Sequence, residues 1–243
     1  MPPARNVPPK ARTSSRRRAT PGPRLFRFDR SLGGRLVAGT DEAGRGCLAG
    51  PLVAAAVVFD PHGLSREARR DLARLNDSKK LSAAARHEMA RAILVHAEEI
   101  VVRVASAATI DRDGLHRTNL DLLARCLASL RCTPDMCVVD GFSLPSSAPP
   151  HRPIVGGDRT SASIAAASIM AKTVRDRLMS GPVAERWPEY GFDRHVGYGT
   201  KQHRSALLSV GMTEIHRRSF NSAAYGQTTL FDDLEGRTPL PGG

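Results

Sequence analysis

The chain has 243 residues, 41% of them hydrophobic, so it can bury a substantial core and is a globular protein rather than a tail or a fibre. Its formal net charge of +12 favours a polyanionic partner, with nucleic acid ahead of an anionic membrane surface. The four cysteines lack the pairing of a zinc site and the density of a secreted disulfide scaffold, and no apolar stretch approaches the roughly 20 residues of a membrane span. These features predict a soluble, cytoplasmic protein.

The first predicted segment is a disordered basic tail, residues 1–24. It is rich in Pro, Arg and Ser and contains almost nothing to bury. Part of the net charge therefore lies outside the folded part of the chain. The positive charges of this tail, with no acid among them, are Arg5, Lys10, Arg12, Arg16, Arg17, Arg18 and Arg24.

Apolar runs predict three strands and one helix in the next part of the chain. RLVAGT predicts a strand that ends in the turn GTDEAGRG, and LVAAAVVF, Leu52–Phe59, predicts a second strand. NDSKKLS is typical of a turn, and Ser82 is placed to cap a helix through ARHEMARAILVHA. EEIVVRVASA then predicts a third strand.

Helices and short strands alternate in the remaining part. Leucines at helical spacing predict one long helix from about Ile110 to Leu130, and MCVVDG and RPIVGGD predict two short strands. An Ala-rich helix is predicted from Ser161 to about Met179, and a last helix near Gln202–Val210. This order predicts an α/β fold with a mixed sheet and helices packed on it, in which sites gather where strands end.

Four acids follow predicted strands: Asp41, Glu42, Asp140 and Asp158. An acid at the end of an apolar strand is costly to bury without a counter-charge, which a divalent cation supplies. Mg²⁺ prefers hard oxygen ligands, keeps some of its waters and completes its shell with substrate phosphates. Two such ions about 4 Å apart would serve an in-line displacement at a phosphodiester.

Each acid also has a purely structural interpretation. Asp41 and Glu42 would be one inward and one outward residue if the strand continued through them, although the glycines that follow indicate that it has ended. Asp140 precedes a glycine, as turn residues do, and Asp158 would serve equally as an Asx-turn or helix-capping residue. Only the four acids together favour a metal site.

Several stretches of the chain resemble bacterial ribonuclease HII in order and spacing, from about Leu36 to Phe220. They are TDEAGRGCLAGPLVAAAVV, LNDSKKLS, VVDGF, GGDRTSASIAAASIMAKTVRD, HVGYGTKQH and TEIHRRSF. The resemblance implies a ribonuclease H-like fold: a central mixed β-sheet flanked by helices, with a C-terminal helical segment. It places the catalytic domain at residues 25–222 and a C-terminal tail at residues 223–243.

The same resemblance implies an activity. It implies endonucleolytic cleavage of the RNA strand of RNA–DNA hybrids, and incision 5′ of single ribonucleotides embedded in duplex DNA. It further implies products with a 3′-hydroxyl and a 5′-phosphate, Mg²⁺ or Mn²⁺ as the cofactor, and a role in ribonucleotide removal during DNA replication and repair.

The family's acidic tetrad falls on the four acids already named. Asp41, Glu42 and Asp140 match metal ligands, and Asp158 completes the second ion's site or its water shell. Gly44 and Gly46 let main-chain groups approach a sugar closely, and in the family this Gly-Arg-Gly turn reads the ribose 2′-hydroxyl.

Other residues are assigned to the substrate. Tyr198 matches the tyrosine that the family stacks against the sugar at the RNA–DNA junction; without the resemblance, a core aromatic would be the simpler interpretation. Arg45, Lys79 and Lys80 are candidates for phosphate contact, and a solvated surface would explain the two lysines almost as well.

Four further polar residues are given structural interpretations. Lys172 lies four residues before Asp176 on a predicted helix, which predicts an ion pair within the helix. For His195 and His203 a surface position is favoured over phosphate binding.

The two ends of the chain carry their own hypotheses. The N-terminal tail either adds non-specific duplex affinity or is inert, and it is too short and too polar to be the folded N-terminal domain of the related HIII type. QTTLF, Gln227–Phe231, resembles the Gln-x-x-Leu-Phe peptides by which bacterial replication proteins bind the sliding clamp. A tail that packs Leu230 and Phe231 on the domain explains the same residues.

Two other functions fit part of this pattern. A non-catalytic nucleic-acid-binding module explains the charge, but it does not explain acids that end several strands. A DNA nuclease or resolvase of the same fold would use the same acids, but it would cleave whether or not the 2′-hydroxyl is present.

Overall fold

The computed structural model describes residues 20–220, and its centre is a five-stranded mixed sheet. The strands lie in the order β3-β2-β1-β4-β5; the first three pair antiparallel, and β4 and β5 run parallel to β1. This is the mixed sheet that the sequence predicted. The strands are β1 Val37–Ala43, β2 Leu52–Phe59, β3 Glu99–Ala105, β4 Met136–Asp140 and β5 Arg152–Ile154.

Helices cover both faces of the sheet and continue beyond it. Ser82 caps α3 by accepting a hydrogen bond from the main chain of Ala85, as predicted, and Ser161 caps α6 in the same way. Helices α7 to α9 form the C-terminal helical segment. The α-helices within residues 20–220 are α1 Gly22–Ser31, α2 Arg66–Asp71, α3 Ala83–His96, α4 Ala107–Asp113, α5 Leu115–Ala128, α6 Ala162–Leu178, α7 Ala184–Arg186, α8 Phe192–His195 and α9 Lys201–Val210.

Strand β2 lies at the centre of two apolar layers. Its odd-numbered residues, such as Val53 and Val57, pack with α1, α3 and α6, and its even-numbered residues, such as Leu52 and Val58, pack with α4 and α5. Every residue of β2 is buried. Burial on both faces explains why this strand is an unbroken apolar run rather than an alternating one.

Helix α6 is the element that connects the core to the site. Small residues, including Ala165, Ala166 and Ala167, are fully buried along it, and alanine side chains let a helix pack closely on a sheet. The main-chain N–H and the hydroxyl of Ser163 donate hydrogen bonds of 2.9 and 2.8 Å to the buried carboxylate of Asp29. Through this contact α1 is tied to the start of α6.

The prediction of one continuous helix from Ile110 to Leu130 is wrong. It is two helices, α4 and α5, separated by Gly114, whose φ of +81° breaks the helical path. The leucine spacing continues across the break, so periodicity alone did not reveal it. The isolated glycine was the available signal.

The boundary of the N-terminal tail also needs correction. Helix α1 begins at Gly22, so residues 22–24, which were assigned to the tail, belong to a helix whose Leu25 and Phe26 are buried. The rest of that tail, residues 1–19, and the predicted clamp peptide Gln227–Phe231 lie outside the described residues. In the part that is described, no helix has the length and apolar character needed to cross a membrane.

Candidate active site

The acids that follow the predicted strands meet at one end of the sheet. Parallel pairing of β1 with β4 extends to Thr40 and Val139, so Asp41 and Asp140 occupy the next positions on neighbouring strands. A cleft of about 360 Å³ opens there. It is lined by Asp41, Glu42, Ala43, Gly44, Arg45, Gly46, Ser78, Lys79, Asp140, Asp158, Ser168, Lys172 and Tyr198.

Asp41 and Glu42 lie within β1 rather than after it, which corrects the predicted end of the strand. The Asp41 carboxylate accepts a hydrogen bond from Ser168 of α6, and the Glu42 carboxylate accepts one from Asn119 of α5. These two helices cover opposite faces, so the side chains alternate as strand geometry requires. Both nevertheless line the cleft, because β4 stops at Asp140 while β1 continues beyond it.

Asp140 and Asp158 are joined through a short turn. The main-chain N–H of Gly157 donates a 2.6 Å hydrogen bond to Oδ1 of Asp140. Gly157 begins the 3-10 turn Gly157–Arg159, which carries Asp158 into the cleft. All four acids named from the sequence therefore line the same cavity, although they come from three distant parts of the chain.

The carboxylates of this cleft are crowded and poorly solvated. Burial, followed by repulsion from Glu42 and Asp140, raises the pKa of Asp41 well above its ordinary value. Burial also raises the pKa of Glu42, against the opposing effect of Arg45, and the pKa of Asp158, with further repulsion from Asp77 and Asp140. The cleft therefore contains negative charge that a bound cation would stabilise.

The donor set fits a hard divalent ion, because it consists of carboxylate oxygens without thiolates or imidazoles. Within residues 20–220, no three acidic, histidine or cysteine side chains already stand at the spacing of an assembled metal centre. The carboxylates bond to protein donors instead: Oδ1 of Asp41 accepts from the N–H of Glu42 at 2.7 Å, and Glu42 pairs with Arg45 at 3.3 Å.

Most of the residues assigned to the substrate line the cleft with the acids. The turn Gly44–Gly46 and Lys79 are part of its wall, whereas Lys80 is exposed and does not line it. Tyr198 is 41% exposed at the cleft, so it is not the core aromatic that its sequence context alone suggested.

Lys172 forms the predicted ion pair with Asp176, at 2.7 Å, and it also contacts Tyr198. Its Nζ lies 5.2 Å from the centre of the Tyr198 ring, and its side chain lines the cleft. Sequence reasoning missed this position and that of Ser168. A usable signal was their separation of four residues, which puts both on one face of the helix that follows Asp158.

His195 and His203 are buried, which corrects their predicted surface position. With His216 they pack against Tyr190 and Phe192, and Nε2 of His203 lies 3.1 Å from Nε2 of His216. Burial lowers the pKa of His203 and of His216 to about 4. Both rings are therefore neutral core groups at pH 7 and do not line the cleft.

A mixed sheet of this order, with an acidic cleft where its parallel strands end, defines the class: an α/β nuclease with a ribonuclease H-like fold. The family model described as Ribonuclease HII matches residues 38–223. The chain therefore belongs to the ribonuclease HII family, and it is a type 2 ribonuclease H, an endoribonuclease.

Curated relatives and solved structures agree with this assignment. The chain is 48% identical over 192 residues to the ribonuclease HII of Chlorobium luteolum, an alignment that covers 79% of this chain and 91% of that one. The ribonuclease H2 of Pyrococcus horikoshii OT3 has the same fold, with a TM-score of 0.66 and 23% identity over 83% of this chain and all of that one.

Two further solved structures are similar. One is the complex of PCNA with ribonuclease HII from Archaeoglobus fulgidus, with a TM-score of 0.61 and 26% identity over 75% of this chain and 93% of that one. The other is Bst-RNase HIII in complex with Mn²⁺, with a TM-score of 0.58 and 19% identity over 85% of this chain and 73% of that one, which shows the shared fold.

Proposed function

We propose that the acidic cleft hydrolyses the RNA strand of RNA–DNA hybrids and incises 5′ of single ribonucleotides in duplex DNA, leaving 3′-hydroxyl and 5′-phosphate ends. The observation that carries this proposal is the convergence of Asp41, Glu42, Asp140 and Asp158 on one cleft beside a Gly-Arg-Gly turn. The net charge of +12 supports a nucleic-acid substrate. Such an enzyme serves ribonucleotide removal during replication and repair in the cytoplasm.

The cofactor in this proposal is Mg²⁺ or Mn²⁺, held by Asp41, Glu42 and Asp140, with Asp158 completing the second position or its water shell. Bound there, such ions supply activation of the attacking water and stabilisation of the leaving oxygen. The carboxylates hold this charge at the ends of β1 and β4, where the buried sheet keeps their backbone rigid. The Mn²⁺ complex of the fold neighbour Bst-RNase HIII supports this choice of ion.

Recognition of the substrate is assigned to the groups around the acids. Main-chain groups of Gly44 and Gly46 approach the ribose and read its 2′-hydroxyl, and the exposed Tyr198 ring stacks on the neighbouring sugar. Arg45 and Lys79 contact phosphates inside the cleft. Lys80, exposed just outside it, contacts the backbone farther along the duplex.

Two duplexes that differ by one 2′-hydroxyl test the substrate. We expect the wild-type protein to cut the duplex with one ribonucleotide at the bond 5′ of it and to leave the all-deoxy duplex intact. Asp41→Asn should bind the first duplex but not cut it. Equal cleavage of both duplexes would instead identify a DNA nuclease or resolvase, and binding without any cleavage by the wild type would identify a binding module.

We also propose a contact with the sliding clamp through Gln227–Phe231, which lies outside the described residues. The solved complex of PCNA with an archaeal ribonuclease HII supports a clamp as a partner of this family. Replacing Leu230 and Phe231 with alanine should abolish co-elution with clamp and leave cleavage of a short duplex unchanged. Replacing Thr228 and Thr229 with alanine is the matched control, because these two residues occupy the variable positions of the Gln-x-x-Leu-Phe motif. Unchanged co-elution after the Leu230 and Phe231 replacement would refute the contact.

A further inference from the structure

A guanidinium is buried directly behind the cleft. Arg175 of α6 has no exposed surface, and its three hydrogen bonds all go to main-chain carbonyls: Nε to Pro51 at 2.9 Å, Nη2 to Ala49 at 3.0 Å and Nη1 to Val196 at 2.9 Å. Burying a charged group is costly unless its donors are satisfied, and here each nitrogen of the fork has a partner. The arrangement fixes three carbonyls relative to one rigid plane.

These carbonyls belong to two segments that approach the substrate from different directions. The recognition turn, residues 44–51, contains Gly44–Gly46 and contributes the carbonyls of Ala49 and Pro51. The tyrosine segment, residues 195–198, contributes the carbonyl of Val196, two residues before Tyr198. Arg175 therefore connects the segment proposed to read the 2′-hydroxyl with the ring proposed to stack on the sugar.

Gly44 packs directly on this guanidinium. A Cβ added to Gly44 would lie 2.1 Å from Nε of Arg175, and its φ of +100° is a conformation that favours glycine. The recognition turn thus rests on the arginine through a backbone contact as well as through hydrogen bonds. A displaced guanidinium would move the turn.

The same face of α6 supports the other parts of the site. Ser168, Lys172 and Arg175 are four and three residues apart, so they lie one above another on the helix. Ser168 bonds to Asp41, and Lys172 lies over the Tyr198 ring. One helix face therefore contacts Asp41, the tyrosine and the recognition turn together.

We propose that Arg175 is a positioning residue for ribonucleotide recognition: it fixes the distance between the recognition turn and Tyr198, so that the turn reaches the ribose while the ring reaches the neighbouring sugar. The inference rests on the proposed function, because it assumes that these two segments recognise the ribose. A lysine at this position keeps the charge but lacks the planar fork, so it cannot hold three carbonyls in the same plane.

Binding measurements in an Asp140→Asn parent, which should not cut its substrate, test the role of Arg175. The quantity measured is the ratio of dissociation constants for an all-deoxy duplex and for the same duplex with one ribonucleotide. Arg175→Lys should lower this ratio by about tenfold, the worth of one well-placed hydrogen bond. The affinity for the all-deoxy duplex should change by less than about twofold, since phosphate contacts dominate it.

Ile93→Ala is the matched control, because it weakens the core that α3 shares with α6 without touching either segment. It should lower the melting temperature and leave the ratio unchanged. A folded Arg175→Lys protein with the parent's ratio would overturn the inference. A parent with equal affinity for both duplexes would instead contradict the proposed recognition of the ribose on binding, and the inference with it.

A second variant covers the case in which Arg175→Lys does not fold. Gly44→Ala pushes the turn off the guanidinium while leaving the arginine in place. The double variant with Gly44→Ala and Tyr198→Ala should lower the ratio of dissociation constants by a smaller factor than the product of the factors for the two single variants. Such a shortfall is expected when two sites are coupled. Effects that multiply would show that the two segments act independently and would overturn the inference.

Discussion

Asp41 is buried beside Glu42 and Asp140, and burial and their charges raise the pKa of its carboxyl well above the ordinary value. A carboxyl whose folded pKa exceeds its unfolded pKa stabilises the fold below the unfolded value, and this contribution is lost as pH rises through the folded pKa. At pH 7 without a cation, the Asp41 carboxyl therefore opposes folding. This acid lowers the stability of the metal-free fold, so its presence is explained by the site rather than by the packing of the core.

Replacing this acid by its neutral isostere should make the metal-free protein more stable. We expect Asp41→Asn to raise the melting temperature in EDTA at pH 7 by about 2–4 °C, roughly 1 kcal/mol in a chain of this size. Added Mg²⁺ should remove the advantage, because it stabilises only the wild type appreciably. Thermal melts with and without Mg²⁺ measure both effects.

Asp121→Asn is the control for charge alone, since Asp121 is exposed and pairs with Arg125 on the surface of α5. It should shift the melting temperature little in either buffer. A lower melting temperature for Asp41→Asn in EDTA would show that the carboxylate stabilises the fold, contrary to this account.

Among the helices, the C-terminal segment is held by neutral imidazoles. His203 lies on α9 and His216 follows it, and burial lowers the pKa of both to about 4. An unfolded histidine has a pKa of about 6.5, so the unfolded chain binds more protons between about pH 4 and 6.5. Stability from these two rings is complete above that window and is lost as pH falls through it.

This predicts that acid loosens the packing of α8 and α9 before the protein loses its carboxylate pairs. Ring signals of His203 and His216 in NMR spectra, assigned by substitution, should keep the chemical shifts of neutral imidazole from pH 7 to pH 5. The melting temperature should fall over the same range. Rings that titrate near pH 6.5 in the folded protein would contradict the buried neutral pair.

The elements that could be predicted from sequence are those with a local signal. Strand β2 was bounded by its apolar run and α3 by its serine cap, and the four acids stood out because they follow predicted strands. Asn119 and Arg175 carried no such local signal. Their roles depend on the rotation of a helix against the sheet, which is decided by packing between distant segments rather than by the local sequence.

Across the whole molecule, part of the positive charge is separated in the sequence from the acids of the cleft. Six of the 36 lysines and arginines lie in residues 1–19, where there is no acid, while the acids of the cleft lie between Asp41 and Asp158. Charge in such a segment would contact phosphates without reading the sugar. Affinity and selectivity should therefore be separable by deletion.

Deleting residues 1–19 should weaken binding to every duplex and leave the preference for a ribonucleotide unchanged. Each phosphate contact that is lost reduces the slope of log affinity against log salt by about 0.9, so the slope should fall by no more than about 5. Titrations at several salt concentrations measure this. Loss of ribonucleotide preference on deletion would give the tail a recognition role, and an unchanged slope would show it to be inert.

We propose that the crowded carboxylates of one cleft promote cleavage of the strand by holding divalent ions. Single-turnover cleavage of a duplex with one ribonucleotide, followed against Mn²⁺ concentration, tests it most directly. The wild type should cut only when the ion is present, and Asp140→Asn should be slower by more than about 100-fold. The control is Asp135→Asn. Asp135 lies away from the cleft and accepts hydrogen bonds from the main chain of Arg35 and Leu36, so this variant should cut at a rate near that of the wild type. Full activity of Asp140→Asn, or cleavage in EDTA, would contradict the account.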